Sequence, residues 1–364
     1  MKAQNLIIAT LAPLFFACTS TNLDNEPLTL NVSPKSKAPS AKFTLPSKSE
    51  EFTVLLSNDE NILSNGSILV AVDEQQILLC DRHRFSLYQL PSGEAISTFN
   101  RAGKSNKEYI MISDVFASLE REEITVLSSN SNNIIYYDLQ GNHLKTIKND
   151  SICDFALHKD LIYAFNRPAG KVVGNDFGIY DRDWNYILGV DFTSRWADDD
   201  PNNSDFINYY SPEIYNDIPL VYYNDVYSHI TKDGMIPYLR IEKGAYSIPS
   251  NIKNNLKRQD EWNNYIWNDW GIVAGNYFFY RYYFGNAIYS EIYSIKEDKL
   301  LYRNIVDSED DNFGMPVTIN GKEIYVWPTT YTNDNIIYIL ITDYQMEDLG
   351  LNPYDTGLLK IELR

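Results

Sequence analysis

The sequence is poor in cysteine, methionine and histidine, with 3, 5 and 4 residues among 364. Three cysteines cannot build a disulfide framework. The histidines His83, His143, His158 and His229 each stand alone, with no second ligand at metal spacing, so structural zinc is unsupported and no metal site is expected. Positive charge is scarce too: 31 Lys and Arg face 49 Asp and Glu, a formal charge of −18. No Lys/Arg cluster offsets it, which argues against nucleic acid, whose phosphates must be met by grouped cations. There is no Gly-x-Ser-x-Gly elbow and no phosphate-binding loop, so no cofactor is expected. No apolar run is long enough to span a bilayer as a helix.

What is abundant is aromatic: 28 Tyr, 16 Phe and 6 Trp in a chain that is 44% hydrophobic. That supplies a sizeable core, and its aromatic and β-branched bias suits pleated, half-buried surfaces. The N-terminus reads as an address. Met1-Lys2 precedes a short apolar run from Leu6 to Phe16, then Ala17-Cys18 and a polar stretch. This resembles a bacterial lipobox, with Phe15 and Phe16 where an aliphatic and a small residue are usual. An ordinary secretory peptide is the alternative. The expectation is a lipoprotein signal peptide over residues 1–17, lipidation at Cys18, a flexible tether over 18–50 and the folded domain over 51–364. The protein would sit in the cell envelope, lipid-anchored to the outer membrane, on a side left open. Cys80 and Cys153 lie in apolar runs and read as buried small hydrophobes rather than a disulfide pair.

From Glu51 onward short apolar runs alternate with Gly, Asn and Asp turns. First strands of successive units fall near Ile68, Met111, Ile152, Ile214, Trp270 and Met315. Four-stranded antiparallel units at this spacing predict an all-β fold, a six-bladed β-propeller. Two long intervals are assigned to insertions, Ser194 to Pro212 and Ile248 to Trp267. In the second, Ile252, Leu256 and Ile266 have rough helical spacing. Ring closure falls to the spare N-terminal strand Glu51–Leu56 beside the last run Leu358–Leu363. Two sandwiches in series would need a central linker, and none is visible.

Several segments then carry a family resemblance: the loop Arg101–Tyr109, the turn within Ile135–Asn142, and Tyr223–Tyr227 followed by Thr231–Gly234 and Pro237–Ile241. They resemble the corresponding parts of the six-bladed β-propeller lipoproteins of Bacteroidota. The resemblance implies fold and address and little about chemistry.

Candidate ligand contacts are polar and aromatic residues at strand ends: Arg101, Arg167, Asn224, Asp225, Arg281, Tyr282 and Trp327. Three Arg converging on one mouth would make an anion or carboxylate site, because guanidinium pairs bidentately with such groups. The competing reading has these Arg bridging neighbouring blades. The acidic runs Asp198–Asp200 and Asp307–Asp311 lack the spacing of a calcium loop and read as solvated. The expected function is a binding or assembly module for a glycan, peptide or protein. The alternative is a hydrolase or lyase with its site in the central funnel.

Overall fold

Among the described residues the short apolar runs from Glu51 onward form strands, most of them in sheets of four. The computed structural model describes residues 26–39, 43–57, 63, 66–128, 131–149, 152–158, 160–166, 177–190, 209–215, 218–223, 225–231, 234–253, 256–308, 312–328, 331–333 and 335–364. Blade 1 is Ile68–Val72, Gln76–Asp81, Arg84–Gln89 and Ala95–Asn100. Blade 2 is Asp114–Ser118, Glu123–Ser128, Asn133–Asp138 and His143–Lys148. Blade 3 runs Ile152–His158, Leu161–Asn166, Phe177–Asp181 and Tyr186–Val190. Blade 4 is Tyr209–Tyr215, Ile218–Tyr223, Val226–Thr231 and Gly234–Glu242, and blade 5 is Trp267–Ala274, Tyr277–Phe284, Ala287–Ser294 and Lys299–Asp307.

Blade 6 takes Tyr331–Asn333, Ile336–Ile341 and Thr356–Leu363 from the C-terminal end and Ser47–Leu55 from the N-terminal end. Phe52 stands opposite Leu359 in the antiparallel pairing that closes the ring, so the closing strand is the expected one, with slightly shifted ends. First strands are innermost: that of blade 2 touches those of blades 1 and 3, and that of blade 6 touches those of blades 1 and 5. The core therefore lies in the seams between blades. Phe85, Phe99, Ile124 and Tyr137 fill the seam of blades 1 and 2, and Phe278, Tyr280, Leu239 and Ile241 fill that of blades 4 and 5. Cys80 is a buried free thiol, its pKa pushed up to about 12 by burial.

Three expectations need correction. The sixth unit does not begin near Met315: Met315–Ile319 and Lys322–Val326 form a separate hairpin, and the innermost strand of blade 6 is Tyr331–Asn333. Met315, Val317 and Ile319 are buried at alternate positions, which imitates a first strand. The first insertion ends sooner, because Tyr209–Tyr215 is already strand. The second holds short helical segments, Gly244–Tyr246, Ser250–Lys253 and Leu256–Asn264, with Ile252 and Ile266 buried.

The third correction is the tether. Leu28–Asn31 pairs in parallel with Gly234–Glu242, adding a fifth strand to the outer edge of blade 4. Leu30 and Val32 are buried among the aromatics of the blade 4–5 seam. Arg303, on the outer strand of blade 5, then donates to the carbonyls of Ser33 at 2.8 Å and Ser36 at 2.6 Å. Phe43 packs on Tyr302 and Leu45 is buried in the blade 5–6 core, leading into the closing strand. The segment is thus a strap over blades 4, 5 and 6. Its Ser, Pro and Lys content suggests solvation, but two buried aliphatics and one arginine grip it.

Candidate functional site

The residues expected to gather at one mouth have separate surroundings. Arg101 follows blade 1, and its Nε donates to the Gly141 carbonyl of blade 2 at 2.7 Å. That is the blade-bridging role. Arg281, on the second strand of blade 5, lies over the rings of Trp270 and Phe313, 5.6 and 5.2 Å from their centroids. Tyr282 and Trp327 are buried and cannot offer a flat ligand contact as they stand, which corrects that expectation. Both occupy positions that face blade seams, where aromatics are consumed by packing. Asp225 sits in a left-handed turn position, φ 62°. Arg167, Asn224 and Cys18 lie outside the described residues, as do Cys153's side chain and the run Asp198–Asp200.

Asp225 belongs to a polar cluster across the blade 4–5 seam. Lys243 Nζ lies 2.6 Å from Asp225 and 3.0 Å from Asp269, and the hydroxyls of Tyr222 and Tyr280 reach Asp269 at 3.0 and 2.7 Å. Burial opposes the charge of Lys243, but the two carboxylates outweigh it and hold its pKa above the ordinary value. Nearby, Arg303 pairs with the fully buried Glu291, which also accepts from Tyr282 and Tyr293. Burial still raises the Glu291 pKa, against the pull of Arg303. The first cluster joins blades 4 and 5, and the second lies within blade 5 and is tied to the N-terminal segment through Arg303.

A carboxyl pair stands at the start of two innermost strands. Asp114 of blade 2 hydrogen-bonds Asp154 of blade 3 and accepts from the backbone N–H of Phe155 at 2.8 Å. Desolvation, then the charge of Asp154, raises the Asp114 pKa well above its ordinary value. Like charges this close cannot both ionise without cost, which favours the protonated form of Asp114. The two positions are 40 residues apart, and nothing local marks either one.

An open cavity of about 230 Å³ lies between blades 2 and 3. One wall is a cross-strand row of blade 2, Thr125, Tyr136 and Lys145 on neighbouring strands. Phe155, Leu157 and Ile162 of blade 3 form the apolar wall opposite. Lys145 Nζ sits 4.2 Å from the centroid of the Tyr136 ring and makes no ion pair among the described residues. At the mouth, Arg121 and Arg182 share Asp160 at 2.6 and 3.1 Å, and Arg182 reaches Glu123 at 3.5 Å. The exposed Arg121–Asp160 pair is worth about 0–1 kcal/mol, so a ligand can exchange it.

A turn sets this wall in place. Asp181 accepts from the backbone N–H groups of Asp183 and Asn185, both at 2.9 Å, and from the Asn185 side chain at 2.8 Å. Asp138 makes the same three bonds with Gln140 and Asn142 in blade 2. In the blade 2 turn the left-handed position is Gly141, φ 79°, where a Cβ would run into the Phe99 ring. In the blade 3 turn it is Trp184, φ 62°. A bulky residue there costs about 1–2 kcal/mol of backbone strain. The indole offsets it by donating Nε1–H to the Tyr136 hydroxyl at 2.7 Å and packing edge-on to Phe155. Tyr136 keeps its own proton to donate, because burial pushes its pKa up to about 12.

Among the described residues no three metal-ligating side chains gather, and no helix is long and apolar enough to cross a membrane.

Residues 33–354 match the model of a domain of unknown function, DUF4934. The chain belongs to the DUF4934 family. Its fold is similar to that of a Bacteroides fragilis protein whose name describes it as exported, with TM-score 0.66 and 12% identity, covering 93% of this chain and 100% of that one. It is also similar to a DUF4221 family member from Bacteroides vulgatus, with TM-score 0.53 and 10% identity, over 87% of this chain and 97% of that one. At these identities the likeness is one of fold. Among curated proteins none matches. This DUF4934 chain is thus a six-bladed β-propeller.

Proposed function

We propose that this protein is an exported binding module of the cell envelope, lipidated at Cys18 and held at the outer membrane, whose propeller binds a glycan, peptide or protein partner. Support for export comes from the signal-like N-terminus and from the name of the similar Bacteroides fragilis protein. The observation that carries the binding reading is the pocket between blades 2 and 3. It is open and part aromatic, and Lys145 stands in it without an anionic partner among the described residues, in a chain of net charge −18. Arg101, exposed and bonded to Gly141 through Nε alone, is the member of the expected set best placed to add a contact. A panel of glycans and peptides in a thermal-shift assay tests the reading. A ligand at 100 times its Kd stabilises the fold by about 2.7 kcal/mol, a clear rise in Tm. A panel that leaves Tm unmoved speaks against it.

A second reading, an extracytoplasmic hydrolase or lyase, is favoured by one observation, the hydrogen-bonded carboxyls of Asp114 and Asp154 on two innermost strands. Two carboxyls with separated protonation states can divide acid and base roles. Turnover of a glycan or peptide that is abolished by Asp114→Asn would move the account to this reading.

A further inference from the structure

The binding reading leaves the class of ligand open, and the pocket's chemistry narrows it. A cavity of about 230 Å³ is smaller than the roughly 300–1,000 Å³ of sites for drug-sized molecules, so it suits one ring-sized unit. The polar groups around it are of both kinds. Lys145, Arg121, Arg182 and the Tyr136 hydroxyl donate, while Glu123 and Asp183 accept. Mixed donors and acceptors beside an apolar wall match a polyhydroxylated ring, which has hydroxyls on its edges and C–H groups on its faces. An extended peptide would need a longer groove with backbone partners, and here the wall is a row of side chains.

Lys145 adds the second element. An ammonium group resting on a tyrosine face, with no carboxylate partner among the described residues, is poised for an anion. Arg121 and Arg182 share Asp160, and Arg182 also reaches Glu123, so two guanidinium groups stand at the mouth. Trp184 acts as a positioning residue: it holds Tyr136 and Phe155 from a strained turn position, where the sister turn has Gly141.

We propose that the blade 2–3 pocket binds a single carboxylate-bearing sugar unit of an acidic glycan, with Lys145 pairing the carboxylate and Glu123 and Asp183 accepting from the ring hydroxyls. This rests on the binding-module reading. The test is calorimetric titration of the purified protein with tri-galacturonate, its methyl ester, maltotriose and an acidic peptide. The expected result is binding of tri-galacturonate that weakens at least tenfold on esterification, and likewise in Lys145→Gln, with Lys145→Arg restoring most of it. Added salt should weaken it further. Unchanged Tm in Lys145→Gln separates lost recognition from lost folding. Equal binding of the ester or maltotriose, or indifference to Lys145→Gln, overturns the carboxylate assignment and leaves the binding-module reading standing. Preference for the acidic peptide overturns the sugar assignment in the same way. Silence from all four probes, joined to an unmoved Tm across the wider panel, overturns both.

Discussion

Trp184 donates its indole N–H to the hydroxyl of Tyr136 at 2.7 Å, across the seam of blades 2 and 3 and from a left-handed backbone position. One turn residue thereby fixes the wall of the pocket. Tyr136→Phe removes the acceptor and leaves a half-buried indole N–H unpaired, a loss of about 1–3 kcal/mol. Urea unfolding should show a lower midpoint at unchanged slope. A midpoint equal to that of the parent would mean the bond contributes nothing to the seam.

The strap makes a second prediction. Arg303 and Glu291 are both buried, and Arg303 also holds the carbonyls of Ser33 and Ser36. Removing one partner of such a pair costs about 3–5 kcal/mol, because the other charge is left uncompensated in a dry seam. Arg303→Met should lower stability by that order and open residues 33–39 to protease. Slow, parent-like cleavage there would place the grip elsewhere, on Leu30 and Val32.

Much of this fold was legible because its signals are local. Period-two burial, turns such as Asp138–Asn142 and the spacing of first strands need only neighbours in the chain. The spare strand at Glu51 announced the closure. The strap escaped notice because the partners of Leu28–Asn31 lie about 210 residues away, at Leu239–Glu242. The hairpin at Met315 reads as the first strand of a blade because its alternation is that of a blade. The site was hardest. Lys145 and Tyr136 each read as an ordinary strand residue, and Phe155 joins them only through blade packing. A usable signal was nevertheless present: Asp181-Arg182-Asp183-Trp184-Asn185 repeats the frame of Asp138-Leu139-Gln140-Gly141-Asn142, with Trp at the Gly position.

The carboxyl pair predicts a pH dependence. Asp114 has a raised pKa in the folded protein, so its contribution to stability is full below the ordinary carboxyl value of 3.8 and is lost as pH rises through the folded value. At neutral pH the pair opposes folding relative to an amide. Asp114→Asn should therefore raise Tm at pH 7 to 8 and converge with the parent as pH falls toward 4, about the range where carboxyls take up protons. A substitution that lowers Tm equally across that range would show that the carboxylate itself is needed.

Attachment has its own test. In the native host Cys18→Ser should move the protein from the membrane fraction to the soluble fraction, since one lipidation site would carry the anchor. Retention in the membrane fraction would remove lipidation from the account.

Hydrogen–deuterium exchange with and without saturating tri-galacturonate tests the central claim most directly, because it locates binding on the ring. The account predicts slowed exchange confined to the Arg121–Thr125 segment, the strand His143–Lys148 and the turn Asp181–Asn185, with blades 4 to 6 unchanged. Protection centred instead on Asp114 and Asp154, or absent from blades 2 and 3, would contradict it.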